Sequence, residues 1–202
     1  MIMLLSSLVA CDRYECEPAP QVDGSRSGFE ACRKHDGRFA YLNREAAVAC
    51  SGDPLATVPA CLEDYGGDCT TDDECSDGDV CGQALSGWAD CACLPVCGSD
   101  ADCGTDEACV CALTPIPSGE HGMDVYAART DVCVTAQCRS DADCESGECG
   151  ALIGPCGDAV LGFYCRTKDD ECRGNYECGN IGWCGPPDGG GKWTCSSLGN
   201  CD

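Results

Sequence analysis

Apolar positions in this chain fall into one short run at the start, two brief patches in the first quarter, and scattered single residues after that. The run, Met1-Ile2-Met3-Leu4-Leu5-Ser6-Ser7-Leu8-Val9-Ala10, is half the length of about 20 residues that a membrane-spanning helix needs. The patches Phe29-Glu30-Ala31-Cys32-Arg33-Lys34 and Glu45-Ala46-Ala47-Val48-Ala49-Cys50 are rich in helix formers. Asn43 is placed as an N-cap for the second, and Gly52-Asp53-Pro54 stops it. Together they predict a small helical module over residues 25–66. Near the other end, Trp183-Cys184 and Lys192-Trp193-Thr194-Cys195 flank the turn-forming Pro186-Pro187-Asp188-Gly189-Gly190-Gly191. That pattern predicts a β-hairpin with Trp183 and Trp193 near each other.

So few apolar residues leave little for a core. From Cys11 onward Leu, Ile, Val and Phe number 25 in 192 residues, and the chain carries a net charge of −23. By itself such a composition reads as disordered. The 25 cysteines reverse that reading. A bridge closing a loop of ~15 residues contributes about 3 kcal/mol by limiting the unfolded chain, so a dozen bridges substitute for the missing core. The expected fold class is a set of small disulfide-rich modules with little regular secondary structure: the helical N-terminal module, then single-turn helices and short β-hairpins. Cystine on this scale also implies an exported, oxidising location.

An odd number of cysteines leaves one over, and its position suggests which. Leu8-Val9-Ala10-Cys11 resembles the lipobox of bacterial lipoproteins. The resemblance implies that residues 1–10 are a signal peptide and that Cys11 carries lipid at the mature N-terminus. Residues 11–24 would then be a tether, and the protein would sit in the cell envelope, lipid-anchored and extracytoplasmic. Without Cys11 the count is even, and four cysteines (Cys16, Cys32, Cys50 and Cys61) lie near the helical module.

The remaining twenty are Cys69, Cys75, Cys81, Cys91, Cys93, Cys97, Cys103, Cys109, Cys111, Cys133, Cys138, Cys144, Cys149, Cys156, Cys165, Cys172, Cys178, Cys184, Cys195 and Cys201. Many of them fall into a repeat. Cys69-Thr70-Thr71-Asp72-Asp73-Glu74-Cys75, Cys97-Gly98-Ser99-Asp100-Ala101-Asp102-Cys103 and Cys138-Arg139-Ser140-Asp141-Ala142-Asp143-Cys144 are three copies of one unit. The stretch from Cys165 to Cys172 reads as a fourth, one residue longer, and a further cysteine follows each copy at Cys81, Cys109, Cys149 and Cys178. Two repeat pairs result, over residues 67–135 and 136–202. Thr71 with Glu74, Ser99 with Asp102 and Ser140 with Asp143 have capping-box spacing, so each unit should hold one helical turn ending at a cysteine. Cysteines six apart on a helix lie about 9 Å apart, too far to pair, so bridges should interleave between successive turns. The stretch from Cys97 through Cys109 to Cys133 and Cys138 resembles the N-terminal cysteine-rich domain of Dickkopf proteins. That resemblance implies a secreted binding module and no enzymatic activity.

Charge narrows the partners. Residues 45–128 hold seventeen acidic side chains and no Lys or Arg. Such a segment repels nucleic acid and anionic headgroups and suits a cationic partner. His35 and His121, the only histidines, lie in no Cys-His or Ser-His-Asp context. Cys91-Ala92-Cys93 and Cys109-Val110-Cys111 could ligate a soft metal as thiolates, but closely spaced cysteines in an oxidising setting usually bridge different partners. Asp73, Asp77 and Asp79 hint at calcium, yet Ala84 stands where an EF-hand needs its last acid. No cofactor and no metal site is expected. Cys178-Gly179-Asn180-Ile181-Gly182-Trp183-Cys184-Gly185 resembles the core of hevein-type chitin-binding modules, which marks Tyr176, Trp183 and Trp193 as candidate glycan-binding aromatics. The expected function is a non-enzymatic, lipid-anchored binding or spacer module whose partner is a protein or an envelope glycan; a chitin- or peptidoglycan-type binder and a small protease inhibitor are the alternatives.

Overall fold

The computed structural model describes residues 14–20, 26–35, 39–50, 67–76, 78–82, 91–111, 115–116, 125–126, 131–154, 160–179, 182–187 and 190–197. Cys11 with its apolar leader, Cys61, Cys156 and Cys201 lie outside the described residues, as do Asp77 and His121.

The N-terminal part is a β-meander, not a helical module. Strands β1 (Tyr14–Pro20), β2 (Arg26–Lys34) and β3 (Phe39–Arg44) pair antiparallel in order. β1 occupies half of the expected tether, residues 11–24. The patch from Phe29 to Lys34 is strand because its neighbours decide what propensity leaves open. Phe29 and Ala31 point into the main core, and Cys32 pairs directly with Cys16 across the ladder and is disulfide-bonded to it. Asn43 is no N-cap; it is a buried β3 residue opposite Glu30. The second patch, residues 45–50, runs over Gly28 as extended chain. Gly28 holds φ +75°, and a Cβ there would meet Val48 Cγ2 at 2.4 Å, so the crossing requires glycine.

Four disulfide units follow, each built the same way. Among the described residues helix is confined to 3-10 turns, one of them in each unit: Asp72–Glu74, Asp100–Asp102, Asp141–Asp143 and Asn175–Cys178. After each turn comes a hairpin, pairing β4 (Val80–Gly82) with β5 (Ala92–Leu94), β6 (Glu107–Val110) with β9 (Val132–Ala136), β10 (Cys149–Ile153) with β11 (Val160–Cys165), and β12 (Gly182–Gly185) with β13 (Thr194–Ser197). A short pair, β7 (Pro115–Ile116) and β8 (Val125–Tyr126), lies within the long β6–β9 connection. In every hairpin two cysteines face each other in register: Cys81 and Cys93, Cys109 and Cys133, Cys149 and Cys165, Cys184 and Cys195.

The bridges cross within each unit, between its turn and its own hairpin, and not between successive turns as the spacing suggests. The first cysteine of each unit joins the third, as Cys69–Cys81, Cys97–Cys109, Cys138–Cys149 and Cys172–Cys184, each with a Cα separation of 5.9 Å. The second joins the fourth, as Cys75–Cys93, Cys103–Cys133, Cys144–Cys165 and Cys178–Cys195. The fourth unit therefore starts at Cys172, with the six-residue spacing of the others. Cys165 closes the third unit and does not open the fourth. A further bridge, Cys50–Cys111, ties the meander's exit to the second unit, so the first four cysteines do not close among themselves.

These parts share one sheet. Its seven strands run in the order β1-β2-β3-β10-β11-β9-β6, joining the meander to the hairpins of the third and second units. The first and fourth hairpins form separate two-stranded sheets. At the centre, β10 and β11 are covered on both faces. Ala151 and Phe163 pack with Phe29 and Leu42 on one side, while Leu152 and Tyr164 pack with Cys172, Cys184 and Trp193 on the other. Strands buried on both faces read as continuous apolar runs, which is why Gly150-Ala151-Leu152-Ile153 and Val160-Leu161-Gly162-Phe163-Tyr164 show no alternation.

Candidate functional site

Where the meander meets the fourth unit, side chains from four segments line an open groove of about 560 Å³. Tyr14 from β1 and Lys34 from β2 form one wall; Asp170, Glu171, Arg173, Tyr176 and Glu177 form the other. Glu177 is the organising residue. As the acid of the fourth turn it accepts the Arg173 N–H at 2.7 Å through Oε2. Its Oε1 accepts from the Tyr14 hydroxyl at 2.8 Å and the Tyr176 hydroxyl at 3.2 Å, and lies 2.9 Å from Lys34 Nζ. Burial alone would raise the Glu177 carboxyl, but the Arg173 N–H, Lys34 and Tyr14 hold it below the usual carboxylate range. Tyr14 is pushed up, by burial first and by its bond to Glu177 second. The Lys34 ammonium lies 5.0 Å from the Tyr176 ring centre and 5.9 Å from that of Tyr14, and its bonds to Tyr176 and Glu177 raise it.

Behind the groove a second cation is fully packed. Arg166 stacks 3.6 Å over the Trp193 ring and 5.1 Å from that of Tyr41. It donates to the carbonyls of Cys172 and Arg173, which support the groove floor. Burial lowers its guanidinium to about 10. Arg173 in turn donates to Glu148 Oε2 at 2.6 Å and to the Tyr41 hydroxyl at 3.0 Å. Cations and rings thus fasten the fourth unit to β1, β2 and β3.

The three aromatics marked from sequence have different fates. Tyr176 is exposed at 37% and stands at the groove. Trp183 is half-buried with its indole N–H donated to the Ile153 carbonyl, and it faces Ser196 across the hairpin, not Trp193. Trp193 is 1% exposed and belongs to the core under Arg166, so it offers no face to a ligand. Tyr14, Lys34, Arg173 and Glu177 carry no mark in the sequence pattern read alone. A signal for Arg173 and Glu177 emerges once the fourth unit starts at Cys172, because the Cys172 to Cys178 spacing places them where Arg139 and Asp143 stand in the third unit.

The capping spacing works mainly through the acid. Glu74, Asp102 and Asp143 accept backbone N–H groups of the two residues at each turn's start. Those bonds, led by the N–H groups of Thr70, Gly98 and Arg139, hold all three carboxyls below their ordinary values. Sulfur atoms also cluster once per unit, as in Cys69, Cys75 and Cys93, within 4.8 Å of one another. In each cluster the sulfurs belong to two crossed disulfides, and in the second unit Cys50 Sγ adds a contact at 3.5 Å to Cys109 Sγ. Closely spaced cysteines take different partners: Cys109 joins Cys97 while Cys111 joins Cys50. Cystine sulfur supplies no thiolate, so these clusters are the buried to half-buried centres of the units. His35 is exposed in the turn after β2. No protein-family model matches the chain, and neither a curated protein nor a solved structure shows significant similarity to it.

Proposed function

We propose that this protein is a non-enzymatic binding module of the cell envelope, held to the membrane by lipid on Cys11. The observation that carries the reading is the groove at the meander's junction with the fourth unit. It is open, it exposes the Tyr176 ring beside Tyr14, and it sits on a frame fixed by the Cys172–Cys184 and Cys178–Cys195 bridges. A preformed site of this kind binds without first ordering itself. The charged groups there are already engaged with one another, which supports recognition and not proton transfer. An exposed ring next to hydroxyl, carboxylate and ammonium groups suits the flat apolar face and hydroxyl edge of a sugar, so an envelope glycan is the ligand class the groove favours.

Calorimetric titration of the purified protein with chitooligosaccharides and with soluble peptidoglycan fragments tests this. Saturable binding that is lost in Tyr176→Ala and kept in Trp183→Phe is expected. No heat with either ligand, or unchanged affinity in Tyr176→Ala, would remove the glycan reading. The anchor is tested separately by fractionating cells that express Cys11→Ser, which should release the protein from membranes.

A further inference from the structure

Each unit carries one side chain that ties its turn to its hairpin. Three residues after the first cysteine stand Asp72, Asp100, Asp141 and Asn175. Every one of them accepts the backbone N–H of its unit's third cysteine: Cys81 at 2.9 Å, Cys109 at 2.8 Å, Cys149 at 2.8 Å and Cys184 at 3.0 Å. In three units the remaining end holds a distant segment. Asp141 takes Asn43 Nδ2 at 2.8 and 2.9 Å, and Asn175 donates to the Gly154 carbonyl at 2.9 Å.

The second unit holds the most. Asp100 takes Arg44 Nη2 at 2.6 and 2.8 Å and the Val48 N–H at 3.1 Å. Beside it the chain adds a strand: Asp100 N–H donates to the Val48 carbonyl, Cys50 N–H donates to the Gly98 carbonyl, and Ala49 bridges Ser99 antiparallel. An extended segment with an arginine four residues ahead of its first pairing residue therefore fills this edge.

In the first unit no described segment pairs with the same edge. Thr70, Thr71, Asp72, Asp73 and Glu74 are all exposed. Among the described residues, the Thr70 carbonyl, the Asp72 N–H and the second Asp72 oxygen, which correspond to the Gly98 and Asp100 groups above, have no partner. We propose that this edge of the first unit docks an extended, arginine-bearing segment of another protein, in the manner in which the second unit holds residues 44–50. The chain's own copy of such a segment is not free to serve, because the Cys50–Cys111 bridge and Asp100 keep it in place. Seventeen acids and no Lys or Arg over residues 45–128 supply a field that favours such a basic partner. Strand addition gives the segment backbone bonds, and the Asp72–arginine pair sets its register. The inference rests on the binding-module reading but uses a surface separate from the groove, so glycan binding and peptide binding fail independently.

The probe is a fluorescein-labelled peptide with the sequence of residues 43–50 carrying Cys50→Ser, titrated into the full-length protein by anisotropy. Saturable binding that weakens with salt is expected, falling about tenfold with Asp72→Asn in the protein or Arg44→Ala in the peptide, equivalent to about 1.4 kcal/mol. Asp72→Asn keeps the Cys81 N–H bond, because asparagine is the native residue at this place in the fourth unit. Amide shifts should cluster at Thr70, Asp72 and Cys81. No saturable binding, equal affinity for Asp72→Asn, or shifts centred on Ser99 and Asp100 would overturn the proposal.

Discussion

Replacing Asp100 by asparagine tests how the meander is fastened to the second unit. Arg44 is 0% exposed, lies 4.5 Å over the Phe163 ring and has Asp100 as its carboxylate partner at 2.6 Å. Burial lowers its guanidinium, and Asp100 opposes that shift. Arg44 Nε and Nη1 have no hydrogen-bond partner among the described residues, so the ion pair is what compensates the buried charge. Asparagine can still accept the Cys109 N–H, but its amide turns a donor toward Arg44 Nη2 and the Val48 N–H. A buried cation left without its partner costs about 3–5 kcal/mol, and the Val48 to Cys50 strand should open locally with it. Two measurements read this: guanidinium unfolding with the disulfides intact, and hydrogen exchange at the Asp100 and Cys50 amides, whose bonds to Val48 and Gly98 would be lost. Arg44→Met added to Asp100→Asn removes the stranded charge and should recover most of the loss. A cost under about 1 kcal/mol for Asp100→Asn, or a double variant no better than the single one, would refute the reasoning.

Acid should loosen the units together. Glu74, Asp102 and Asp143 have folded values held below their ordinary ones by turn N–H groups, so their contribution is present at neutral pH and is lost as pH falls from about 4 through the folded values. A guanidinium midpoint that stays flat or rises between about pH 5 and pH 2 would contradict this. Cys103→Ala with Cys133→Ala removes a bridge across 30 residues and should cost about 4 kcal/mol of unfolding free energy; retention of the wild-type midpoint would show that packing and not the bridge holds the second unit. Gly28→Ala forces a Cβ to 2.4 Å from Val48 Cγ2 at φ +75° and should destabilise by about 1–3 kcal/mol in the same titration.

The cysteine spacing made most of the repeat legible, because the turn and its acid are local. Thr71 with Glu74, Ser99 with Asp102 and Ser140 with Asp143 specify their turns within six residues, and the turn keeps the two cysteines at its ends from pairing with each other. Spacing alone puts the fourth start at Cys165 because it also stands near Cys172, and only strand pairing shows that it faces Cys149. Helix formers around Ala31 and Ala47 misled for a related reason. The strand assignment rests on Cys16, Tyr41 and Asp141 from other segments, and no local pattern contains them. Trp193 looked like a surface aromatic, and its partner in the core is Arg166, an unusual residue to bury. The groove was half visible. Tyr176 was marked, but Tyr14, 162 positions earlier, joins it only through the fold.

In the proposed lipid-anchored binding module, cystine pairs supplement a small apolar core. Mass spectrometry of the intact protein extracted from membranes, before and after reduction and alkylation, tests that most directly. Of 25 cysteines, none should alkylate before reduction, 24 should alkylate after it, and the mass should carry the lipid on Cys11. Thiols that alkylate without reduction, or a mature mass with no lipid, would contradict it.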